Sequence, residues 1–173
     1  AMVAALHFNI FHKHCQRVHM TNIAQMVNVL QALILTDKEK MILTPTYHVF
    51  DMYKDNMDAT YLPCQLTSED YTVGDEKMKA VSASSSLTKD GKININLVNV
   101  HASKSMDIVC EVKGFNAKSV KGHILTARKI NAYNSFDNPE NVMVNSFKEV
   151  NIKDGKLNVK MPAKSIIVLQ VEK

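Results

Sequence analysis

"KDGKININLVNV", residues 89–100, decides how the larger part of this chain folds. After Asp90-Gly91 the sequence alternates strictly, with Ile93, Ile95 and Leu97 on one face and Asn94 and Asn96 on the other. A side-chain period of two is that of a β-strand, and Asp-Gly suits a hairpin because glycine accepts a positive φ. The same tetrapeptide returns at Lys153–Lys156, before a run that puts Leu157, Val159 and Met161 on one face. The flanking residues otherwise differ, so the copies read as two similar turns rather than an internal repeat. "MDIVCEVKGF" (106–115) and "SIIVLQVEK" (165–173) add further short strands. Residues 61–173 are therefore expected to form an antiparallel β-sandwich.

Toward the N-terminus the period changes. In "AMVAALHFNIFHKHCQRV" (1–18), Val3, Leu6, Ile10 and Phe11 recur at helical spacing. "TPTYHVFDMYKDNM" (44–57) predicts a second helix, with Thr44 as N-cap, Pro45 at the first position, and Val49, Met52 and Tyr53 on one side. Between them, Val18–Ala24 is mostly apolar and carries no charge after His19, which suits a strand buried on both faces. Helix, buried strand, helix is the pattern of an α/β unit. The chain thus divides into residues 1–60 and 61–173. It opens directly on a helical pattern at Ala1-Met2, and so reads as a piece of something longer.

The stretch "VHMTNIAQMVNVLQALILT" (18–36) poses a problem of its own. Asn22, Gln25, Asn28 and Gln31 interrupt it every third residue. Amides among so many aliphatic side chains need hydrogen-bond partners if they are buried, and they are well suited to hydroxyl-rich ligands.

Other chemistries find little support. A net charge of +4, with 21 basic residues scattered without aromatic partners, does not make a nucleic-acid surface. No apolar run is long enough to span a membrane, and no signal-peptide pattern is present. Cys15, Cys64 and Cys110 are far apart in sequence, so neither a zinc knuckle nor a disulfide scaffold is expected. His12 and His14 point to opposite sides of a helix, which removes the one histidine cluster near Cys15 as a metal site; no cofactor is expected. The serine run "VSASSSLT" (81–88) lacks the glycines of a nucleophile elbow and reads as a polar strand or loop. No catalytic constellation is visible.

Four quoted blocks nevertheless carry a family resemblance. "NIFHKHCQRVHMTNIAQMVNVLQALILT" (9–36), "MILTPTYHVFDMYKDNMDAT" (41–60), "NSFDNPENV" (134–142) and "MPAKSIIVLQV" (161–171) resemble the C-terminal part of family 51 glycoside hydrolases, the retaining α-L-arabinofuranosidases. The family fold, a (β/α)8 barrel joined to a jelly-roll sandwich, implies a mainly β chain preceded by a remnant of the barrel. On that pattern Ala1–Lys13 corresponds to the helix after barrel strand seven, Val18–Ala24 to strand eight, and Thr44–Asn56 to the last barrel helix. Cys15 and Gln16 depart from the commoner Ala-Asp before Arg17-Val18.

The family's two catalytic glutamates stand in Asn-Glu and Glu-Trp contexts. This chain has no Trp and no Asn-Glu dipeptide, so it is expected to contain no catalytic residue and to be inactive alone. Within "IAQMVN", Gln25 corresponds to a family glutamine that hydrogen-bonds an arabinofuranose hydroxyl, which makes it the one substrate-binding candidate. The implied ligand is an arabinose-containing polysaccharide such as arabinan or arabinoxylan. The alternative is a free-standing carbohydrate-binding or assembly module. Without strands one and seven, Val18–Ala24 would expose two unpaired edges. It is expected to refold as helix or to pair with a second chain, its apolar surface covered by the sandwich or by a partner, giving a homodimer or larger species. The compartment stays open between cytoplasmic and periplasmic or secreted.

Overall fold

The structure is a computed structural model that describes all residues, Ala1–Lys173. Its centre is a six-stranded antiparallel sheet ordered β10 (Val144–Phe147), β9 (Ser119–Thr126), β13 (Ser165–Glu172), β7 (Ile93–Asn99), β6 (Val81–Leu87) and β3 (Thr60–Leu62). Against one face lies a three-stranded sheet of β11 (Val150–Lys153), β12 (Lys156–Met161) and β8 (Met106–Glu111). Two hairpins complete the strands: β1 (Ile34–Asp37) with β2 (Lys40–Leu43), and β4 (Asp70–Val73) with β5 (Glu76–Lys79). The expected mainly antiparallel β architecture is therefore present.

Alternation dictates the sandwich core. Ile93, Ile95 and Leu97 of β7 join Ile167, Leu169 and Val171 of β13 in one buried cluster. Leu157, Val159 and Met161 of β12 close it from the opposite sheet, as their shared face requires. Gly122 of β9 lets β10 approach. A Cβ there would sit 3.0 Å from both the Cβ and the carbonyl oxygen of Phe147.

The two Lys-Asp-Gly-Lys turns differ. Asp154 and Gly155 both have positive φ (52° and 71°) between the paired Lys153 and Lys156, a two-residue primed turn. Around Asp90 the loop is one residue longer. The Thr88 N–H donates to the Lys92 carbonyl at 2.9 Å, the Thr88 hydroxyl accepts from the Lys92 N–H at 3.0 Å, and only Gly91 is left-handed. The hydroxyl of Thr88 has no counterpart at Ile152, which is why identical tetrapeptides close differently.

The other face of the six-stranded sheet is covered by two helices, α1 (Met2–Lys13) and α2 (Pro45–Tyr53), the latter running into a single 3-10 turn at Lys54–Asn56. α2 starts as its sequence implies, the Thr44 hydroxyl accepting from the Tyr47 N–H at 3.4 Å, with Val49, Met52 and Tyr53 buried. Phe8 meets Phe50 edge-on at 4.8 Å between ring centres and so joins the helices. Ala5, Val49, Met52 and Tyr53 share a second apolar cluster with Val98, Leu125, Ile166 and Val168 of the sheet. Yet the apolar stripe of α1 does not lead the packing. Ala5 and Asn9 are its buried residues, while Val3 and Ile10 are 67% and 51% exposed.

The expected barrel remnant does not form. Val18–Ala24 is neither strand nor helix, and the one parallel contact in the region is an isolated bridge between Val27 and Ile34. A parallel barrel strand needs a neighbour on each edge, and this chain offers none. The helical alternative fails as well, because Gln25, Asn28 and Gln31 all take positive φ (30°, 53° and 64°). Nor does the sandwich cover the segment. Met20 and Leu30 remain 78% and 92% exposed.

Candidate functional site

Two loops meet the same short stretch of chain. The first carries Gln25. Its neck is closed where the Met26 carbonyl accepts from the N–H groups of Leu33 and Ile34, each at 3.0 Å. Asn28 clips it to β1: its Oδ1 accepts from the Thr36 N–H at 2.7 Å, and its Nδ2 donates to the Thr36 hydroxyl at 2.8 Å. The loop is then tied to the start of α2, where Thr44 donates its N–H to the Leu33 carbonyl at 2.9 Å and its hydroxyl to the Ala32 carbonyl at 2.9 Å. Of the four amides spaced by three, Asn28 is thus a backbone pin. Gln25 is exposed, and neither it nor Asn22 or Gln31 makes a side-chain hydrogen bond within the chain.

The second loop joins β9 to β10 and contains "NSFDNPENV". Asn134, 4% exposed, anchors it. Its Nδ2 donates to the carbonyls of Leu43 (2.8 Å) and Val142 (3.0 Å), and its Oδ1 accepts from the Val142 N–H at 2.7 Å. Since Leu43 and Thr44 are consecutive, both loops are fastened to one end of the molecule.

Beneath the C-terminal parts of both helices lies a buried polar seam that the sequence reading missed. On β6, Ser82, Ser84 and Ser86 face the helices while Val81, Ala83 and Leu87 face the sandwich core, so the serine run is a strand with a purpose. Asn9 Oδ1 accepts from the Ser84 hydroxyl (2.8 Å) and the Tyr53 hydroxyl (3.2 Å), and Asn9 Nδ2 donates to Ser82 (3.1 Å). Asn96 Nδ2 donates to Asn56 Oδ1 (3.0 Å) and to Ser84 (3.1 Å). Ser86 donates to Asn56 Oδ1 at 2.8 Å. Because Ser84 has one proton and gives it to Asn9, it can only accept from His12, which lies 3.0 Å away. The network therefore assigns a proton to His12 Nδ1. Burial lowers the His12 pKa and raises that of Tyr53, so at neutral pH both are uncharged. No buried side-chain nitrogen or oxygen is left without a partner. The available signal was the pairing of alternating serines on β6 with alternating asparagines on β7, opposite an Asn-x-x-His on one helix face.

Catalytic carboxylates do not gather. Asp51, Asp58, Glu69, Asp70, Asp90, Glu111 and Glu172 are each engaged by lysines at the surface. No group of three His, Cys, Asp or Glu is arranged to hold a metal. Burial, with a smaller contribution from nearby Cys64, pushes the Cys110 thiol up to about 11, which leaves it protonated and unreactive at neutral pH.

The comparisons with known proteins agree with this geometry. The family model described as the alpha-L-arabinofuranosidase C-terminal domain matches residues 1–165, so both helices lie within the matched region. An intracellular exo-alpha-L-arabinofuranosidase of Bacteroides ovatus is 49% identical over 173 residues, covering 99% of this chain and 34% of that protein. The crystal structure of the GH51 arabinofuranosidase from Xanthomonas axonopodis pv. citri superposes with a TM-score of 0.96 at 48% identity, covering 98% of this chain and 34% of that one. The thermostable GH51 alpha-L-arabinofuranosidase from Thermotoga petrophila gives 0.85 at 25% identity, covering 99% and 37%. The chain thus spans about a third of the length of the relatives it matches.

Proposed function

We propose, from the premise that this chain belongs to the alpha-L-arabinofuranosidase C-terminal domain family, that it is the C-terminal part of a retaining α-L-arabinofuranosidase. The parent would remove terminal non-reducing α-L-arabinofuranosyl groups from arabinan or arabinoxylan. The observation that carries this is 49% identity along 99% of the chain to a protein named for that activity. Retaining hydrolysis needs one carboxyl group to protonate the leaving oxygen and another to capture the sugar, about 5 Å apart. Those groups would come from the remainder of the parent, and the 173 residues alone should release no arabinose from an aryl α-L-arabinofuranoside.

Gln25 is our candidate contact to the sugar. Its amide offers a donor and an acceptor, both unused within the chain, on a loop that the Asn28–Thr36 clip holds in place. In the parent, Gln25→Ala should lower kcat/KM by roughly fivefold to a hundredfold, as expected for loss of a hydrogen bond worth about 1–3 kcal/mol, while the melting temperature stays put. Unchanged kinetics would remove Gln25 from the site. We also keep the division at residue 60 as a reading of the parent, with residues 1–60 adjoining its catalytic part. The support is the exposed Val3, Ile10, Met20, Met26, Leu30 and Met41, all within that segment. In the isolated chain the same side chains should drive self-association, and static light scattering should find a dimer or larger species.

A further inference from the structure

The loop that Asn134 anchors displays an open site. It runs 17 residues from Ala127 to Met143 with no helix or named strand, far longer than an ordinary β-hairpin connection. It is not slack. Besides Asn134, a pair of backbone hydrogen bonds joins Ser135 and Asn138 (3.2 and 3.1 Å), and Asn141 Nδ2 donates to the Tyr133 carbonyl at 3.0 Å. What this bracing presents is a tyrosine pointing outward, 69% exposed, one residue before the buried anchor. Tyr133 lines a cavity of about 910 Å³ together with Arg128, Lys129, Asn131 and Asn141.

The chemistry of that lining is selective. The Arg128 guanidinium and the Lys129 ammonium make no ion pair, and the Asn131 amide, the Tyr133 hydroxyl and Asn141 Oδ1 take no side-chain hydrogen bond within the chain. Free guanidinium and amide groups form paired hydrogen bonds to neighbouring hydroxyls. An exposed ring beside them supplies a flat apolar face for the C–H side of a sugar. A ligand that is both hydroxyl-rich and faced with C–H groups is a saccharide. The volume lies within the range of small-molecule sites and holds more than one sugar ring. A hydrophobic peptide would leave those donors unpaired, at a cost of several hydrogen bonds.

We infer that the β9–β10 loop is a saccharide-binding site in which Tyr133 stacks on a sugar ring while Arg128, Asn131 and Asn141 bond its hydroxyls. Resting on the function proposed above, the ligand class is a neutral arabinose-containing oligosaccharide or polysaccharide chain. Through Asn134 and Leu43 the site is braced to the same segment that carries the Gln25 loop.

Affinity electrophoresis of the 173-residue chain tests this, in gels containing arabinan, arabinoxylan, a mixed-linkage β-glucan or no polysaccharide. Arabinan or arabinoxylan should retard the chain, and Tyr133→Ala should weaken retardation about tenfold, the scale of one lost stacking contact. Tyr133 has no side-chain partner to lose, so its variant should melt with the parent chain. Val73→Ala, a comparably exposed apolar truncation on the β4–β5 hairpin away from both loops, should be retarded like the unaltered chain. Absence of retardation in every polysaccharide gel, retardation by β-glucan alone, or equal retardation of Tyr133→Ala would each overturn the proposal. The hydrolase reading is judged separately, by arabinose release from the full-length parent, so either can fail without the other.

Discussion

The six-stranded sheet has two buried faces built on opposite principles. Toward the small sheet it presents an apolar centre of Ile93, Ile95, Leu97, Ile167 and Leu169, with Ser85, Asn99 and Ser165 hydrogen-bonded to main-chain carbonyls around it. Toward the helices it presents Ser82, Ser84, Ser86, Asn94 and Asn96, every one hydrogen-bonded. The first face is held by the removal of apolar area from water, which is non-directional and tolerates small shifts. The second adds to the apolar contacts of Val98, Leu125, Ile166 and Val168 a set of donors and acceptors that fit in one arrangement only. This difference explains why α1 turns Asn9 inward while Val3 and Ile10 face out. A helix set on alternating serines gains more from an amide than from an aliphatic side chain, because the hydroxyls beneath must be satisfied.

The largest expected effect lies on the apolar face. Leu169 is fully buried between the sheets, and Leu169→Ala should cost roughly 2.7–5 kcal/mol in denaturant unfolding, transfer and cavity contributions together. A loss under about 1 kcal/mol would mean that the sandwich core is not packed as described.

The polar face should respond with smaller but coupled losses. Asn9→Ala and Ser84→Ala each strand partners among Tyr53, Asn96 and His12, at about 1–3 kcal/mol apiece. Together they should cost less than their sum, by about 0.5 kcal/mol or more, because each removes the other's partner. Strict additivity in that double-mutant cycle would show the seam to be separate contacts rather than one network.

The smallest effect is the dependence on acidity. Burial lowers the His12 pKa below its ordinary 6.5, and that of His48 too, partly offset by Asp51. Between the folded pKa and 6.5 the unfolded chain then binds more protons than the folded one. Stability is fully present above pH 6.5, declines as the pH falls through that window, and levels off below the folded values. His12→Gln retains a donor for Ser84 but cannot titrate, so its melting temperature between pH 7.5 and 5 should fall less steeply. An unchanged slope would place the acid sensitivity elsewhere.

The fold of this chain was legible wherever a local rule and a tertiary requirement coincide. Asp154-Gly155 forces a primed turn, Thr44-Pro45 starts α2, and the alternations at 93–97 and 157–161 leave one side of each strand for the core. These depend on steric limits and periodicity within a few residues. What the stretch 18–36 would do was not legible, since "IAQMVNV" satisfies a strand or a helix equally well, and its conformation depends on neighbours that local sequence does not specify. The structure resolved it by closing a loop around the Met26 carbonyl with three amides in left-handed backbone, one of them pinned to Thr36. The candidate sites divide in the same way. Gln25 is proposed from its motif alone, through the resemblance of "IAQMVN" to the family pattern. The Asn9–Ser84–His12 seam is visible only after folding, because its partners stand as far as 75 residues apart and only the packing of α1 on β6 brings them within hydrogen-bond reach. Tyr133 is visible only once the buried Asn134 beside it fixes the loop and leaves the ring exposed.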